Sequence, residues 1–193
     1  MRSIAVYCGS SNHVNSIYKN EAKRLGSLLA KHKIKLIYGG GNMGLMGILA
    51  NSVLDNGGNV FGVITEHLID IEKKNNSLNN LKIVKTMHER KMEMFMQADC
   101  FIIFPGGIGT LEEFFEVYSW KQLRLHEKPI YIYNLNNFWD GLINLIDRLI
   151  DENFAGENMK EAYKVIKNHS ELEKELRILS LIHISEPTRP NCI

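Results

Sequence analysis

The chain has 193 residues, 45% of them hydrophobic, which is enough to bury the core of one compact domain and excludes a disordered protein. Lysine and arginine total 23 against 22 aspartates and glutamates, so the net charge of +1 offers no general attraction for nucleic acid or an anionic membrane. The first apolar run is too brief for a signal sequence, and no later run approaches about 18 residues, so we expect a cytoplasmic protein without a membrane segment. The cysteines Cys8, Cys100 and Cys192 are widely spaced, which favours reduced thiols.

Short apolar runs alternate along the chain with segments whose apolar residues have helical spacing. We expect strands at residues 4–7, 34–38, 60–64, 82–84, 100–104 and 129–133. We expect helices at residues 18–31, 45–55, 88–97, 111–125, 138–152 and 170–179. This alternation predicts an α/β fold, a Rossmann-like parallel sheet with helices on both faces, in a single domain over residues 1–180. Within it, Met92, Met94 and Met96 are expected to pack in the core, and the polar residues 73–77 to form an exposed, mobile loop.

The last residues, 181–193, contain two prolines that prevent them from continuing the final helix. They resemble the translated read-through of a sequencing adapter more than a domain terminus, and an ordinary disordered tail is the alternative. We therefore leave them out of the fold prediction.

Three loops of small residues directly follow predicted strands, at residues 8–11, 39–44 and 105–110. Ligands of parallel α/β sheets bind beyond the carboxyl ends of the strands, so three such loops at one edge favour a nucleotide-like ligand. Residues 105–113 pass from a strand through a glycine turn into a helix, whose N–H groups and dipole suit a phosphate. Residues 39–47 lack the Gly-Lys-Ser/Thr ending of a Walker A motif, and on their own fit ligand contact and tight helix–strand packing equally well.

Four charged residues near these loops are candidates for chemistry. Glu112 and Glu113 are expected in the first turn of a helix, where favourable interaction with the dipole is enough to account for at least one of them. Arg90 and Lys91 are expected at the start of another helix, where the dipole disfavours cations unless an anion is nearby. The alternative is that both cations lie on a solvated helix face. This alternative is weaker for Arg90 than for Lys91, because a guanidinium makes bidentate phosphate contacts. Histidine and cysteine spacings typical of metal sites are missing from the sequence, so no metal is expected.

The combination of motifs resembles the Lonely Guy family, the cytokinin-activating phosphoribohydrolases that are often mislabelled as lysine decarboxylases. The similarity rests on GGGNMGLMG at residues 39–47, MHERK at residues 87–91 and PGGIGTLEE at residues 105–113, in this order. It implies a homodimer with its active site near the subunit interface. It also implies hydrolysis of the N-glycosidic bond of an N6-substituted or plain adenosine 5′-monophosphate, giving the free base, cytokinin or adenine, and ribose 5-phosphate, with no cofactor.

Matched by position, the resemblance assigns the catalytic roles to Arg90 and Glu113. The residues expected to bind the substrate are Lys91, Gly106, Gly107, Gly109, Thr110, Glu112, Gly40, Gly41, Met43 and Ser10. Several relatives also carry an acidic residue that reaches the substrate from the loop before the Arg-Lys helix, and the gapless equivalent here is Asn76, which departs from the pattern. Cleavage places positive charge on the anomeric carbon and negative charge on the base, so a carboxylate at Glu113 is expected to stabilise the former or orient water. Arg90 is expected either to neutralise the departing base or to hold ribose and phosphate.

Two other functions compete with this interpretation. A non-catalytic nucleotide-binding or carrier protein would use the same loops, with Glu113 serving only as a carboxylate near a helix terminus. Amino-acid decarboxylation would need pyridoxal phosphate or a pyruvoyl group, and the sequence offers no lysine in a convincing Schiff-base context.

Overall fold

The computed structural model describes residues 2–182, and the side chains of residues 2–178. The tail predicted at residues 181–193, with Cys192, lies outside the described residues, apart from the two residues at which the last helix ends. The strands are β1 Ser3–Tyr7, β2 Lys35–Tyr38, β3 Val60–Thr65, β4 Leu81–Val84, β5 Cys100–Ile103, β6 Ile130–Tyr133 and β7 Lys164–Ile166. The helices are α1 Ser16–Lys31, α2 Gly44–Asp55, α3 Leu68–Ile71, α4 Met87–Gln97, α5 Ile108–Gln122, α6 Asp140–Asp151 and α7 His169–Ile182, with short 3₁₀ helices at Leu135–Asn137 and Glu157–Ala162.

The seven strands form one parallel sheet in the order β4-β3-β2-β1-β5-β6-β7. Successive residues of a strand enter opposite hydrophobic clusters: Ile4 and Val6 pack with α1, α2 and α7, while Ala5 and Tyr7 pack with α4, α5 and α6. Because both faces are covered, residues 4–7 of β1 and 100–103 of β5 are apolar throughout. The predicted α/β fold with helices on both faces is confirmed.

The strand order reverses between β1 and β5, which lie side by side at the centre of the sheet with Tyr7 opposite Ile103. The loops that follow these two strands therefore leave the same edge together, and the Gly9 N–H donates to the carbonyl of Pro105 at 3.1 Å. Such a switch point opens a crevice at the carboxyl ends of the strands, which is where ligands of this architecture bind.

Several details of the sequence-based prediction are wrong, three of them in the sheet, the core and the loop between β3 and β4. Strand β7 was not predicted, because three residues at a sheet edge give too short a pattern to recognise. Met94 is buried in the core, but Met92 and Met96 are exposed, since they lie on the outer face of α4. The stretch at residues 73–77 is not exposed throughout, because Asn75 is 1% exposed.

Within residues 2–182, no helix is both long enough and apolar enough to cross a bilayer.

Candidate active site

A cavity of about 680 Å³ opens at the switch point between β1 and β5. Its volume is in the range of small-molecule sites. The sequence-predicted site residues that line it are Ser10, Arg90, Gly106, Gly107, Gly109, Thr110, Glu112 and Glu113. The predicted residues that lie outside the lining are Gly40, Gly41, Met43 and Lys91. The turn before α5 and the buried arginine of α4 thus line the same cavity, whereas most of the glycine loop at residues 39–47 lies outside it.

The turn before α5 presents backbone donors to this cavity. Gly107 caps the helix without a side-chain acceptor, and in the described part of the chain the N–H groups of residues 108–110 donate to no protein acceptor. Gly106 is required by packing, because a Cβ there would lie 2.1 Å from Thr110 Oγ1. A Cβ on Gly107 or Gly109 would meet no atom within 4 Å. Open donors at a helix N-terminus, with space in front of them, suit an anionic group.

In the other glycine loop, at residues 39–47, the N–H groups at the start of α2 are occupied within the protein. The Gly44 N–H donates to Asn12 Oδ1 at 2.8 Å and the Leu45 N–H to the Gly9 carbonyl at 3.0 Å. Gly44 has a φ of +57°, and a Cβ there would lie 2.4 Å from the backbone of Ser10. Of the two interpretations left open by the sequence, tight packing describes the start of α2.

Arg90 is fixed at the edge of the sheet rather than on a solvated helix face. Helix α4 begins at Met87, and a capping box of Thr86 and Glu89 determines where it starts. Arg90 is 5% exposed, and it donates from Nε to the Val63 carbonyl and from Nη2 to the Gly39 carbonyl, both at 3.0 Å. Val63 lies within β3 and Gly39 directly follows β2, so the backbone of the sheet orients the guanidinium.

Glu113 lies beside this guanidinium, with its Oε1 3.9 Å from Arg90 Nη1. Helix α5 begins at Ile108, earlier than predicted, so its first turn holds no acidic residue and capping accounts for neither Glu112 nor Glu113. Burial raises the pKa of Glu113 to about 7; the charge of Arg90 opposes this rise, and the neighbouring carboxylates of Glu112 and Glu72 add to it. A carboxyl group with a pKa near neutrality exchanges protons readily at physiological pH.

Glu72 is a site residue that the sequence-based prediction missed. It lines the cavity, and its Oε2 lies 3.4 Å from Arg90 Nη2. Burial raises its pKa, and Arg90 opposes that rise. Asn76, the gapless equivalent of the family's acidic residue, is exposed and lies outside the cavity lining. The same loop nevertheless supplies a carboxylate to the cavity, that of Glu72, four residues earlier. No local pattern distinguishes Glu72 from a solvated surface residue, because its role depends on how the loop folds back.

Lys91 forms ion pairs with two carboxylates of α5. Its Nζ contacts Glu112 and, at 3.1 Å, Glu116, and only 13% of its side chain is exposed. The lysine therefore links α4 to α5 and places a positive charge behind Glu112, which itself lines the cavity.

The remaining lining of the cavity is largely apolar. Tyr18 of α1 and Phe138 lie edge to face with their ring centroids 5.6 Å apart, and Val14 and Leu45 also line the cavity. Ile108, 82% exposed, lines it at the first turn of α5. One part of the cavity is thus charged and another suits a flat, apolar group.

The fold and this site define a Rossmann-like α/β protein with a ligand-sized cavity at the switch point of its sheet. Residues 46–176 match the sequence model of a family described as "Possible lysine decarboxylase". The chain is 39% identical over 186 residues to the cytokinin riboside 5′-monophosphate phosphoribohydrolase LOG4 of Arabidopsis thaliana, covering 96% of this chain and 86% of the relative. It is 44% identical over 154 residues to LOG2 of the same plant, covering 80% and 72%. The chain belongs to the Lonely Guy family.

Solved structures with little sequence similarity share the fold. The molybdenum cofactor carrier protein from Chlamydomonas reinhardtii is 15% identical, with a TM-score of 0.67 over 92% of this chain and 97% of that one. The molybdenum cofactor binding protein from Rippkaea orientalis is 18% identical, with a TM-score of 0.67 over 94% and 97%. At these identities the likeness concerns the fold alone.

Proposed function

We propose that the protein is a nucleoside 5′-monophosphate phosphoribohydrolase, which cleaves N6-substituted adenosine 5′-monophosphates into a free base and ribose 5-phosphate. The activity is the one named for its relatives of about 40% identity. The observation that carries the proposal is the placement of Arg90 and Glu113, 3.9 Å apart, in the same cavity as an open glycine turn. Residues 1–180 are treated as one domain, supported by the single sheet that carries both hydrophobic clusters.

The 5′-phosphate binds at the turn before α5 in this proposal. Its oxygens accept hydrogen bonds from the N–H groups of residues 108–110, which have no protein acceptor among the described residues. The positive end of the helix dipole adds to these contacts. The missing side chains of Gly107 and Gly109 leave room for the phosphate, and Thr110 and Ser10 contribute hydroxyl groups to the lining.

Glu113 and Arg90 then act on the glycosidic bond. As the bond from the anomeric carbon to the base breaks, its electron pair moves to the base, and a water oxygen bonds to the anomeric carbon. Glu113 accepts a proton from that water, for which a pKa of about 7 is suited. The guanidinium of Arg90 stabilises the negative charge on the departing base, which finally takes up the proton. No cofactor takes part in this sequence of steps.

The apolar part of the cavity receives the base and its N6 substituent. Tyr18 and Phe138 offer aromatic surfaces, and Val14 and Leu45 offer aliphatic ones. An isoprenoid chain gains roughly 0.8 kcal/mol per buried methylene group, which favours prenylated nucleotides over plain AMP.

We further infer a homodimer that meets near the cavity. Met87 and Ile108 line the cavity and are 44% and 82% exposed, while Met96 and Phe115 expose further apolar area on α4 and α5. Exposed apolar residues on adjacent helices are typical of protein interfaces. Cys8 and Cys100 are free, buried thiols, which is consistent with a cytoplasmic location.

Product analysis tests the function directly. Isopentenyladenosine monophosphate and AMP are incubated with the protein, and free base and ribose 5-phosphate are quantified by chromatography. Glu113→Gln and Arg90→Ala are each expected to lower base release by at least about a hundredfold. Glu116→Gln, which changes a carboxylate of the same helix outside the cavity lining, is the matched control and should keep most of it. Nucleotide binding without base release would identify a carrier instead. Near wild-type release by both Glu113→Gln and Arg90→Ala would refute the site assignment.

A further inference from the structure

The segment between β3 and β4, residues 66–80, lies along the cavity, and we call it the strap. His67, Leu68 and Glu72 of the strap are part of the cavity lining. Glu72 is the carboxylate nearest to Arg90, with 3.4 Å between Oε2 and Nη2. The strap therefore determines which negative charge accompanies the guanidinium.

Main-chain hydrogen bonds fasten the strap to the loop that follows β2. The Asn42 N–H donates to the carbonyls of Glu72 at 3.0 Å and Lys73 at 2.8 Å. The Asn75 N–H donates to the Gly40 carbonyl at 3.0 Å. These bonds lie on either side of the turn at Lys73, which has a φ of 50°. Gly40 and Asn42 thus act on the site through the strap rather than through the cavity.

The side chain of Asn75 completes this attachment. It is 1% exposed and lies outside the cavity lining. Its Nδ2 donates to Asn51 Oδ1 on α2 at 3.0 Å, and its Oδ1 accepts from the Ser77 N–H at 3.0 Å. Asn51 in turn donates to Asn42 Oδ1 at 3.2 Å. A buried amide is costly unless it is hydrogen-bonded, and this one is bonded at both ends.

The contacts form a closed circuit. It runs from Asn75 through Asn51 to Asn42, from Asn42 to the Glu72 carbonyl, and back along the strap to Asn75. This circuit of three side chains and two backbone segments fixes the position of the strap at the edge of the sheet. Removal of the Asn75 side chain opens it at the hydrogen bond that ties the strap to α2.

We propose that Asn75 is a positioning residue, which holds the strap so that Glu72 stays against Arg90. This inference rests on the proposed function, because it concerns how that site is kept in order. Glu72 and the Gly39 carbonyl occupy Nη2 of Arg90, which leaves Nη1 on the side of Glu113. When Glu72 moves away, the Val63 and Gly39 carbonyls still hold the guanidinium, but Glu113 becomes the carboxylate that balances its charge, and Glu113 then takes up a proton less readily.

The test compares Asn75→Ala with Asn76→Ala, its exposed neighbour in the same strap. Asn75→Ala is expected to lower kcat on the order of tenfold, as a displaced active-site group does, while KM changes less than about twofold because the phosphate turn is untouched. Asn76→Ala is expected to match the wild type. The effect must pass through Glu72, so the double variant Asn75→Ala/Glu72→Gln should be no slower than Glu72→Gln alone.

A second readout does not depend on catalysis. Amide hydrogen exchange across residues 66–80 should accelerate in Asn75→Ala and stay unchanged in Asn76→Ala. If Asn75→Ala does not fold, Asn51→Ala breaks the same hydrogen bond from the α2 side and should give the same two results. Additive losses in the double variant, or unchanged exchange in the strap, would overturn the proposal. An inactive wild-type protein with normal strap protection would instead refute the proposed function alone.

Discussion

Replacing Glu113 with glutamine is expected to stabilise the protein while removing its activity. The carboxyl group has a pKa of about 7 in the fold against 4.5 for an unperturbed glutamate, so the folded chain binds its proton more tightly than the unfolded chain does. Ionisation therefore favours unfolding, and the stability of the wild type falls as pH rises from about 4.5 to about 7. A pKa difference of this size lowers the free energy of unfolding of the wild type by ~3 kcal/mol above pH 7. Glutamine does not ionise and avoids this loss, and Arg90 keeps Glu72 as a partner.

Urea unfolding at several pH values measures the effect. At pH 8 the free energy of unfolding of Glu113→Gln should exceed that of the wild type by up to ~3 kcal/mol, and at pH 5 the gain should shrink below about 1 kcal/mol. Glu112→Gln is the control, because Glu112 is half-exposed and paired with Lys91. Its effect should stay within about 1 kcal/mol. A Glu113→Gln variant that is less stable than the wild type at pH 8, or a gain independent of pH, would refute the reasoning.

Further outcomes are expected for the pH profile and for three variants. The kcat of base release should rise with pH and level off near pH 7, as Glu113 loses its proton, and a flat profile from about pH 5.5 to 8.5 would contradict its role as a base. Gly109→Ala should raise the thermal midpoint by about 2–3 °C, because alanine favours the helix and its Cβ meets no atom within 4 Å. Gly109→Ala should nevertheless raise KM on the order of tenfold, and an unchanged KM would show that the turn does not bind the phosphate. Gly106→Ala should instead lower the free energy of unfolding by about 1–3 kcal/mol. Tyr133→Phe should cost about 1–2 kcal/mol in urea unfolding, because the hydroxyl donates to buried Glu21 at 2.7 Å, and an unchanged midpoint would mean that this bond contributes nothing.

The central part of the fold was predictable because the sheet is parallel and covered on both faces. Residues 100–104 are apolar along their length and residues 36–38 continue the same pattern after Lys35, as strands buried on both sides do, and the loops after them are rich in glycine. The edge strand β7 gave no such signal, since it has three residues and begins with an exposed lysine. The start of α5 was misplaced, at residue 111 instead of 108, because Gly107 caps the helix without a side-chain hydrogen bond that the sequence would reveal. The start of α4, predicted at residue 88, agrees with its capping box of Thr86 and Glu89 to within one residue.

The site was predictable only in part. Arg90 and Glu113 were identified by motif, and the structure brings them into one cavity. Glu72 was missed because its position depends on the hydrogen bonds that fold the strap back, and these join residues some thirty positions apart. The two glycine loops also look alike in sequence. They differ in their surroundings, because Asn12 and the Gly9 carbonyl occupy donors of the first loop and, within the described residues, the donors of the second are open.

The position of the switch point makes the site a joint product of two halves of the chain. Residues 2–98 carry β1 to β4 and supply Arg90, whereas the residues from 99 onward carry β5 to β7 and supply Glu113. In the sheet the halves are joined along the single seam between β1 and β5. A chain divided between residues 98 and 99 is therefore expected to give two fragments that each lack part of the site, and base release should report their reassociation. The pairing of β1 with β5, which creates the crevice, is therefore a suitable division point for a two-fragment complementation reporter.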